Sequence, residues 1–561
     1  MTSTVSSPPG LSKPSPKKIH WLEIKETLTG YAFILPAYII IGVFGLFPIA
    51  FAAYVSLFQW RITPGDFTGL GNYVKAVDNL AYIFAFWIAI LLLYWLIKET
   101  IFLYKTAREH LEKPWLFFLP AIIVTGGIGQ FIRFAVLLLP EILDIANKVR
   151  GLERTQELFV GLLKEAWLTP VVQDTLRISL LLFVCGFLLF FGINRWLYHS
   201  TRNLSYFTSC LKMVIFISSA MILLWFTWTQ ISLAYSEAAQ NGEALDISAQ
   251  IITISAGFVL LALSYFLWRS AGQRQSMMTT IFRMLAAIVL AIGSWVLIGE
   301  IPSVVSAGDD KWWESLLVTV YYSIGTVPVQ LGISLVLATL LFQNIKGKGF
   351  FRLIYFLPYI TPAVAAAAVF KVFFSGKPTA PMNSFLQILG FNPLEWLNEP
   401  KGITQLLAGA SIELPVWLAG PSLALIVIIL YNIWSYVGYD TVIFLAGLGN
   451  IPREMYEAAS MDGADKFAQF RHITLPLLSP TTYFLTLLAV IGTFKAFNHI
   501  WVLRSGAALG TTDTATIVIF TEFTRNTRYG YAAALSIVLL GVILVLTIIN
   551  NRIAEKRVFY G

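Results

Sequence analysis

Charge is scarce in this sequence. Only 12% of its 561 residues are Asp, Glu, Lys or Arg, while 57% are hydrophobic. Soluble domains carry about 25% charged residues, so a water-soluble globular protein is excluded and an integral membrane protein is expected. Cysteine is nearly absent. The two present, Cys185 and Cys210, fall in or beside apolar runs, which argues against a disulfide framework. The five histidines are scattered, and none has ligand spacing to another His or a Cys. There is no G-x-x-x-x-G-K-[ST] phosphate cradle, no H-E-x-x-H zinc pair and no G-x-S-x-G elbow. Gly347-Lys348-Gly349 is only a basic loop. The chain is therefore expected to hold no catalytic residue, no metal and no cofactor of its own. A cleavable leader is not expected either, because the first apolar run, Tyr31–Leu57, is too long and begins too far in.

What is present is apolar length, broken by short charged loops. The net charge of +8 is not a nucleic-acid footprint, since the basic residues sit beside apolar runs in the positive-inside pattern. Met1–Leu28 is Ser/Pro/Lys-rich and reads as a cytoplasmic tail. The first span, Tyr31–Leu57, contains Pro36 and Pro48, which are expected to bend it. Between Asp78 and Asp310 lie about six further spans, near Ala81–Ile97, Trp115–Leu139, Thr175–Ile193, Met213–Leu233, Ala249–Trp268 and Met284–Gly299. Pro120 and Gly126-Gly127 are candidates to break the second.

Loop charge supports that number. Lys98–Lys113, Arg195–Lys212 and Arg269–Arg283 are basic; they alternate with acid-rich Glu141–Asp174, Glu237/Glu243/Asp246 and Glu300/Asp309/Asp310. With the basic segments cytoplasmic, the region begins and ends outside, which an even number of spans satisfies. Spans then follow at Ser315–Phe342, Leu353–Phe374, Ser422–Leu445, Thr482–Leu503 and Tyr531–Asn550, with Ser375–Pro415 a long external loop. The expectation is an all-α polytopic protein of about twelve spans with both termini in the cytoplasm.

One polar island stands out, Glu454–Pro480. Its Glu454, Glu457, Asp462, Asp465, Lys466 and Arg471 cannot lie in hydrocarbon. Pro452 and Glu454 suit a first helical turn. Asp462-Gly463 should interrupt the helix, Ala464–Ile473 should form a second, and Pro476 should stop it. The pattern Glu457-Ala458-Ala459, Asp462-Gly463-Ala464, Phe470, Ile473, Leu475, Pro476 resembles the cytoplasmic "EAA" loop of binding-protein-dependent ABC importer permeases. Leu445–Pro452, reading LAGLGNIP, resembles the sugar-importer branch, similar to maltose- and glycerol-phosphate-type permeases. So do Phe67-Thr-Gly-Leu-Gly-Asn-Tyr73, Tyr355-Phe-Leu-Pro-Tyr-Ile-Thr-Pro362 and Trp312–Thr319, the last with Val318 where the family usually has Asn.

The resemblance covers the first span and everything after about Lys311, but not the region between. It implies a six-helix permease core made of 29–78 and 311–561, with a coupling loop at 447–480 and an inserted region at 79–310. It also implies cytoplasmic ABC ATPase subunits that use ATP and Mg, a second similar permease, an external substrate-binding protein, and no enzyme activity in this chain. Membrane lipid is a partner by default and nucleic acid is not. Glu457 would meet an Arg or Lys of the ATPase, and Ala458, Ala459 and Gly463 would let it approach closely. The plainer reading of Glu457 is a solvated surface carboxylate worth under about 1 kcal/mol.

Polar side chains at membrane depth mark pathways. Asn432, Tyr436 and Tyr439 fall at i, i+4 and i+7, on one helix face. Thr493, Lys495, Asn498 and His499 add donors on the span beyond the loop. Amides and aromatic rings suit a sugar, and Lys495 leaves room for an acidic or phosphorylated one. The plainer reading is helix–helix hydrogen bonding or an interfacial belt. Gln130 and Arg133 are read as snorkelling outward, and Gly126-Gly127-Ile-Gly129 as a close helix contact. The insert would brace the core or meet the binding protein. Two rivals remain: an ion-coupled secondary transporter using Asp440, and a non-transport membrane scaffold with the insert as its working part.

Overall fold

The computed structural model describes residues 21–149, 155–197, 200, 202–242, 245–271, 277–299, 301, 307–343, 346–408 and 420–557. The N-terminal tail up to residue 20, much of the external loop at 409–419, and Glu243, Arg274 and Glu300 lie outside these. Among the described residues every regular element is a helix, and the only β pairing is two isolated bridges. Ten helices are long and apolar enough to cross a bilayer, and two bent helix pairs raise the total to twelve. The all-α, roughly twelve-span expectation holds.

The region expected to be an insert, 79–310, contributes six of the long helices: Leu80–His110, Phe118–Lys148, Pro170–Gly192, Asn203–Asn241, Ile247–Ala271 and Met277–Ile298. They associate in pairs, first with fourth, second with third, fifth with sixth. In a bilayer apolar contact gives little drive for pairing, so small residues and hydroxyls hold helices together. Ser179 Oγ donates to Gly127 O at 2.9 Å, Ser264 Oγ to Ala287 O at 2.7 Å and Ser294 Oγ to Gly257 O at 2.8 Å. A Cβ on Gly127 would meet the Phe183 ring at 3.1 Å, which is the close contact expected of this glycine stretch. The expected break in the second helix does not occur. Pro120 falls in its first turn, where a missing N–H costs nothing, and Gly126-Gly127 lies in unbroken helix. Arg133 is exposed, whereas Gln130 Oε1 is buried without a hydrogen-bond partner, so only the arginine faces out as expected.

The core is organised on Leu423–Gly449, which packs along Asp310–Phe342. Its most apolar window is 61% buried, against 11–33% across the insert's helices. Gly438 explains a second close crossing: a Cβ there would sit 1.7 Å from the Tyr355 carbonyl oxygen. The span expected at Leu353–Phe374 is not straight. Lys348–Ile360 and Ala363–Phe373 meet at 93°, because Thr361 before Pro362 is held extended. Likewise Thr482–Leu503 is two helices rather than one. Ser479–Phe494 bends 62° from the preceding segment, and Lys495–Phe497 separates it from Asn498–Leu503. The Ala515–Thr524 helix was not anticipated; the last crossing runs Tyr529–Arg557. The expected external loop carries the helices Pro381–Ile388 and Ile403–Ala408. In the first span a π-helical stretch, Ile41–Leu46, lies between Pro36 and Pro48.

Candidate functional site

The loop after Leu423–Gly449 folds into an exposed elbow. Arg453–Met461 is a helix with no buried residue. Its C-terminus closes with Gly463 N–H donating to Ser460 O at 3.1 Å and Ala464 N–H to Ala459 O at 2.9 Å. That closure requires a left-handed residue, and Gly463 supplies it with φ +81°. Asp465 caps the second helix by accepting from Ala468 N–H at 2.7 Å. The second helix is shorter than expected: Lys466–Gln469 passes into a π stretch, Phe470–Thr474, and then Leu475–Leu477. Pro476 does not stop it. It sits at the start of that last piece, and the bend comes at Leu478.

The elbow's two helices are tied to each other and to the core. Gln469 Nε2 donates to Ser460 Oγ at 2.9 Å, and Tyr456 OH lies 2.9 Å from Thr474 Oγ1. Tyr456, Ile473 and Leu477 pack on a cluster that includes Val327, Phe444, Leu448 and Leu485. Outward, the elbow exposes Glu457, Ala458, Asp462, Gly463 and Pro476; Ala459, Ala464 and Phe470 are half-buried. Met461 is 89% and Phe467 68% exposed. Solvent-facing apolar side chains beside a carboxylate are a surface suited to a protein partner.

On the other side of the core, Asn432, Tyr436, Tyr439, Thr493, Lys495 and Asn498 all line one cavity of about 260 Å³. Asn432, Tyr436 and Tyr439 come from Leu423–Gly449 before the elbow; Thr493, Lys495 and Asn498 come from the end of Ser479–Phe494, the link after it and the start of Asn498–Leu503. Tyr439 stacks on Tyr359 at 4.6 Å, and Tyr436 meets the same ring edge-on at 5.6 Å. Asn432 and Thr493 also make the cross-helix bonds that the plainer reading anticipated. Asn432 Nδ2 donates to Gln330 Oε1 at 3.2 Å, and Thr493 Oγ1 to Ser323 Oγ at 2.9 Å. Lys495 and Asn498 are exposed to the cavity. His499 is buried against Tyr322, its Nε2 2.8 Å from the Tyr322 hydroxyl.

Gln330 was missed. Its Nε2 donates to Asp440 Oδ2 at 2.6 Å, so one amide links Asn432 to the buried carboxylate. A lone glutamine within an apolar run was the available signal. Tyr359 was also missed, being placed by the bend at Thr361. No group of three or more His, Cys, Asp or Glu able to hold a metal occurs among the described residues.

An all-α polytopic bundle with a polar, aromatic-walled cavity and a braced, exposed elbow is the architecture expected of a membrane transport permease. The family described as "binding-protein-dependent transport system inner membrane component" matches residues 330–559. The arabinooligosaccharides transport system permease protein AraP of Bacillus subtilis is 32% identical over 243 residues, 43% of this chain and 70% of that protein. The sn-glycerol-3-phosphate permease UgpA of Agrobacterium fabrum is 32% identical over 45% of this chain and 79% of its own length. The trehalose/maltose permease MalF of Thermococcus litoralis is 29% identical over 44% and 76%. A solved bacterial alginate ABC transporter aligns with 44% of this chain at 22% identity and a TM-score of 0.38. The chain belongs to the binding-protein-dependent inner-membrane permease family.

Proposed function

We propose that this chain is a membrane-spanning subunit of an ATP-driven importer for a sugar or oligosaccharide delivered by an external binding protein. The observation that carries the reading is the convergence of Asn432, Tyr436, Tyr439, Thr493, Lys495 and Asn498 on one cavity between the helices that the elbow joins. Amide and hydroxyl groups there pair with sugar hydroxyls, and the Tyr436, Tyr439 and Tyr359 rings offer apolar faces to sugar C–H surfaces.

The elbow supplies the drive. Glu457, Ala458, Ala459, Asp462, Gly463, Ala464, Phe470 and Pro476 form the surface that docks in a cleft of a cytoplasmic ATPase subunit. ATP and Mg are bound and used there, not in this chain. Closure of two ATPase subunits pushes the elbow, and Tyr456 and Ile473 pass that displacement to the core helices through their packing. The cavity then opens to the other side. A second, similar permease completes the pore, and both termini lie in the cytoplasm. The segment 79–310 is an added membrane domain on a core of 29–78 and 311–561.

The test is gentle purification of the full complex, identification of companions by mass spectrometry, and ATPase assay with binding protein and candidate sugars. The expected result is a co-purified ATPase whose rate rises with loaded binding protein. Uptake that persists in vesicles with the ATPase removed would instead support an ion-coupled carrier. A companion-free complex with no nucleotide response would support a scaffold.

A further inference from the structure

The motif Phe67–Tyr73 takes no part in the cavity or the elbow, yet it is held with unusual firmness. Asn72 Nδ2 donates to Ser56 O at 2.8 Å and to Phe58 O at 2.9 Å, and the Tyr73 hydroxyl lies 2.6 Å from Ser56 Oγ. The start of the last helix locks onto the same strand-like segment. Gly530 N–H donates to Trp60 O at 2.9 Å, and a Cβ on Gly530 would lie 2.1 Å from Phe58 O. These contacts build a polar pocket of about 340 Å³, with Arg61, Lys75 and Arg528 on its wall and no carboxylate among its lining residues.

Two of the nearby acids are already engaged. Glu522 pairs with Arg528 at 3.5 Å, and Asp309 Oδ2 accepts from the Tyr531 hydroxyl at 2.6 Å. Lys75 Nζ sits 4.5 Å from the centre of the Tyr531 ring. Among the described residues, neither the Arg61 nor the Lys75 side chain has an ion-pair or hydrogen-bond partner. Two exposed cations without counter-ions line this pocket with the Gln59 amide. Such a cavity concentrates anions. Arginine adds a planar donor fork that matches phosphate oxygens, and lysine adds a point charge.

We propose that this pocket is a phosphate-binding site, separate from the transport cavity, which takes a phosphate-bearing group in the presence of two unpaired cations. The phosphate belongs either to a soluble ligand or to the head of a lipid at the membrane rim, where the adjoining aromatic cluster of Tyr54, Phe58 and Trp60 would anchor the chain.

The experiment labels exposed amines of the purified full complex in neutral detergent and reads Lys75 by mass spectrometry. One arm adds inorganic phosphate against chloride at equal ionic strength; the other adds phosphatidylglycerol against neutral diacylglycerol. The expected result is saturable protection of Lys75 in at least one arm, with Arg61→Gln raising the half-protecting concentration about tenfold. Protection by phosphate identifies a soluble source; protection by phosphatidylglycerol alone identifies a lipid head. Protection in neither arm overturns the site, as does a midpoint unmoved by Arg61→Gln. Because Lys75 protection is read on the unaltered protein, misfolding of a variant does not rescue or sink it.

Discussion

Leu423–Gly449 in the core and the six helices of the insert cross the same kind of membrane but use polar side chains differently. Around the core cavity, side chains bond to one another across helices: Asn432 to Gln330, Gln330 to Asp440, Thr493 to Ser323. At close crossings of the insert, Ser179, Ser264 and Ser294 bond to backbone carbonyls of the neighbouring helix, as Ser334 does to Val437 O in the core, while Ser209 donates to Glu99 and Trp87 to Ser255 elsewhere in the insert. The first arrangement leaves functional groups on a wall; the second spends them on adhesion. A polar residue inside a membrane helix is therefore a pathway marker only when its partner is another side chain beside open space.

The largest expected difference concerns packing. Gly438→Val would drive a side chain into the Tyr355 carbonyl, whose oxygen lies 1.7 Å from the new Cβ. Backbone cannot yield as a side chain can, so a loss of more than about 3 kcal/mol and failure to assemble are expected. In the insert, Gly186→Ala meets first the Val124 Cγ2 methyl at 2.5 Å, which can rotate away. That change should cost about 1–2 kcal/mol. Thermal unfolding of both variants in the same detergent checks the contrast, and equal losses would break it.

Next in size is the network itself. Gln330→Leu removes the donor to Asp440 and the acceptor for Asn432 together. Leaving those buried groups unpaired costs about 1–3 kcal/mol each, so substrate-stimulated turnover should fall at least about tenfold. Ser294→Ala, which removes only a bond to Gly257 O, should cost about 0.6 kcal/mol and leave turnover unchanged. Turnover and unfolding temperature measured on both variants separate the two outcomes.

Gly463 sharpens the same contrast between holding and working. A Cβ there meets nothing within 4 Å, so Gly463→Val loses no packing and strains only the backbone at φ +81°. The penalty should be about 1–2 kcal/mol, with normal membrane insertion. ATP-driven uptake should nonetheless be lost if the elbow's turn is the docking surface proposed above. Wild-type uptake in this variant would remove the elbow from the mechanism.

The number of crossings was legible because a span needs only about 20 apolar residues, a signal that survives any detail of packing. The turn at Gly463 was legible for a similar reason: Asp-Gly after a short helix has few conformational solutions. The bends were not. Pro362 forces one, and Pro476 and Pro480 flank the bend at Leu478, but Lys495–Phe497 breaks the chain with no Gly or Pro at the break. Pro476 misled because a proline tolerated at a helix start looks in sequence like a proline that ends a helix. Gln330 was not legible because its partners Asn432 and Asp440 lie over one hundred residues away in sequence.

A small effect is also expected at the seam between the two regions. The insert meets the core where Leu70 N–H reaches Gln230 Oε1 at 3.4 Å, and the insert's own first residue, Asn79, donates through Nδ2 to Gln250 Oε1 at 2.7 Å. Ile254 of the insert lies in one cluster with Trp312, Tyr531 and Leu535 of the core. Gln250→Leu keeps that apolar contact and removes only the acceptor for Asn79, so stability should fall by about 1 kcal/mol. An insert that only braces the core would show this loss in unfolding temperature with turnover untouched at permissive temperature. An insert that moves during the cycle would show a changed turnover as well, since a hinge bond then contributes differently to the two states. Measuring both quantities on one variant decides which region's rule the seam obeys.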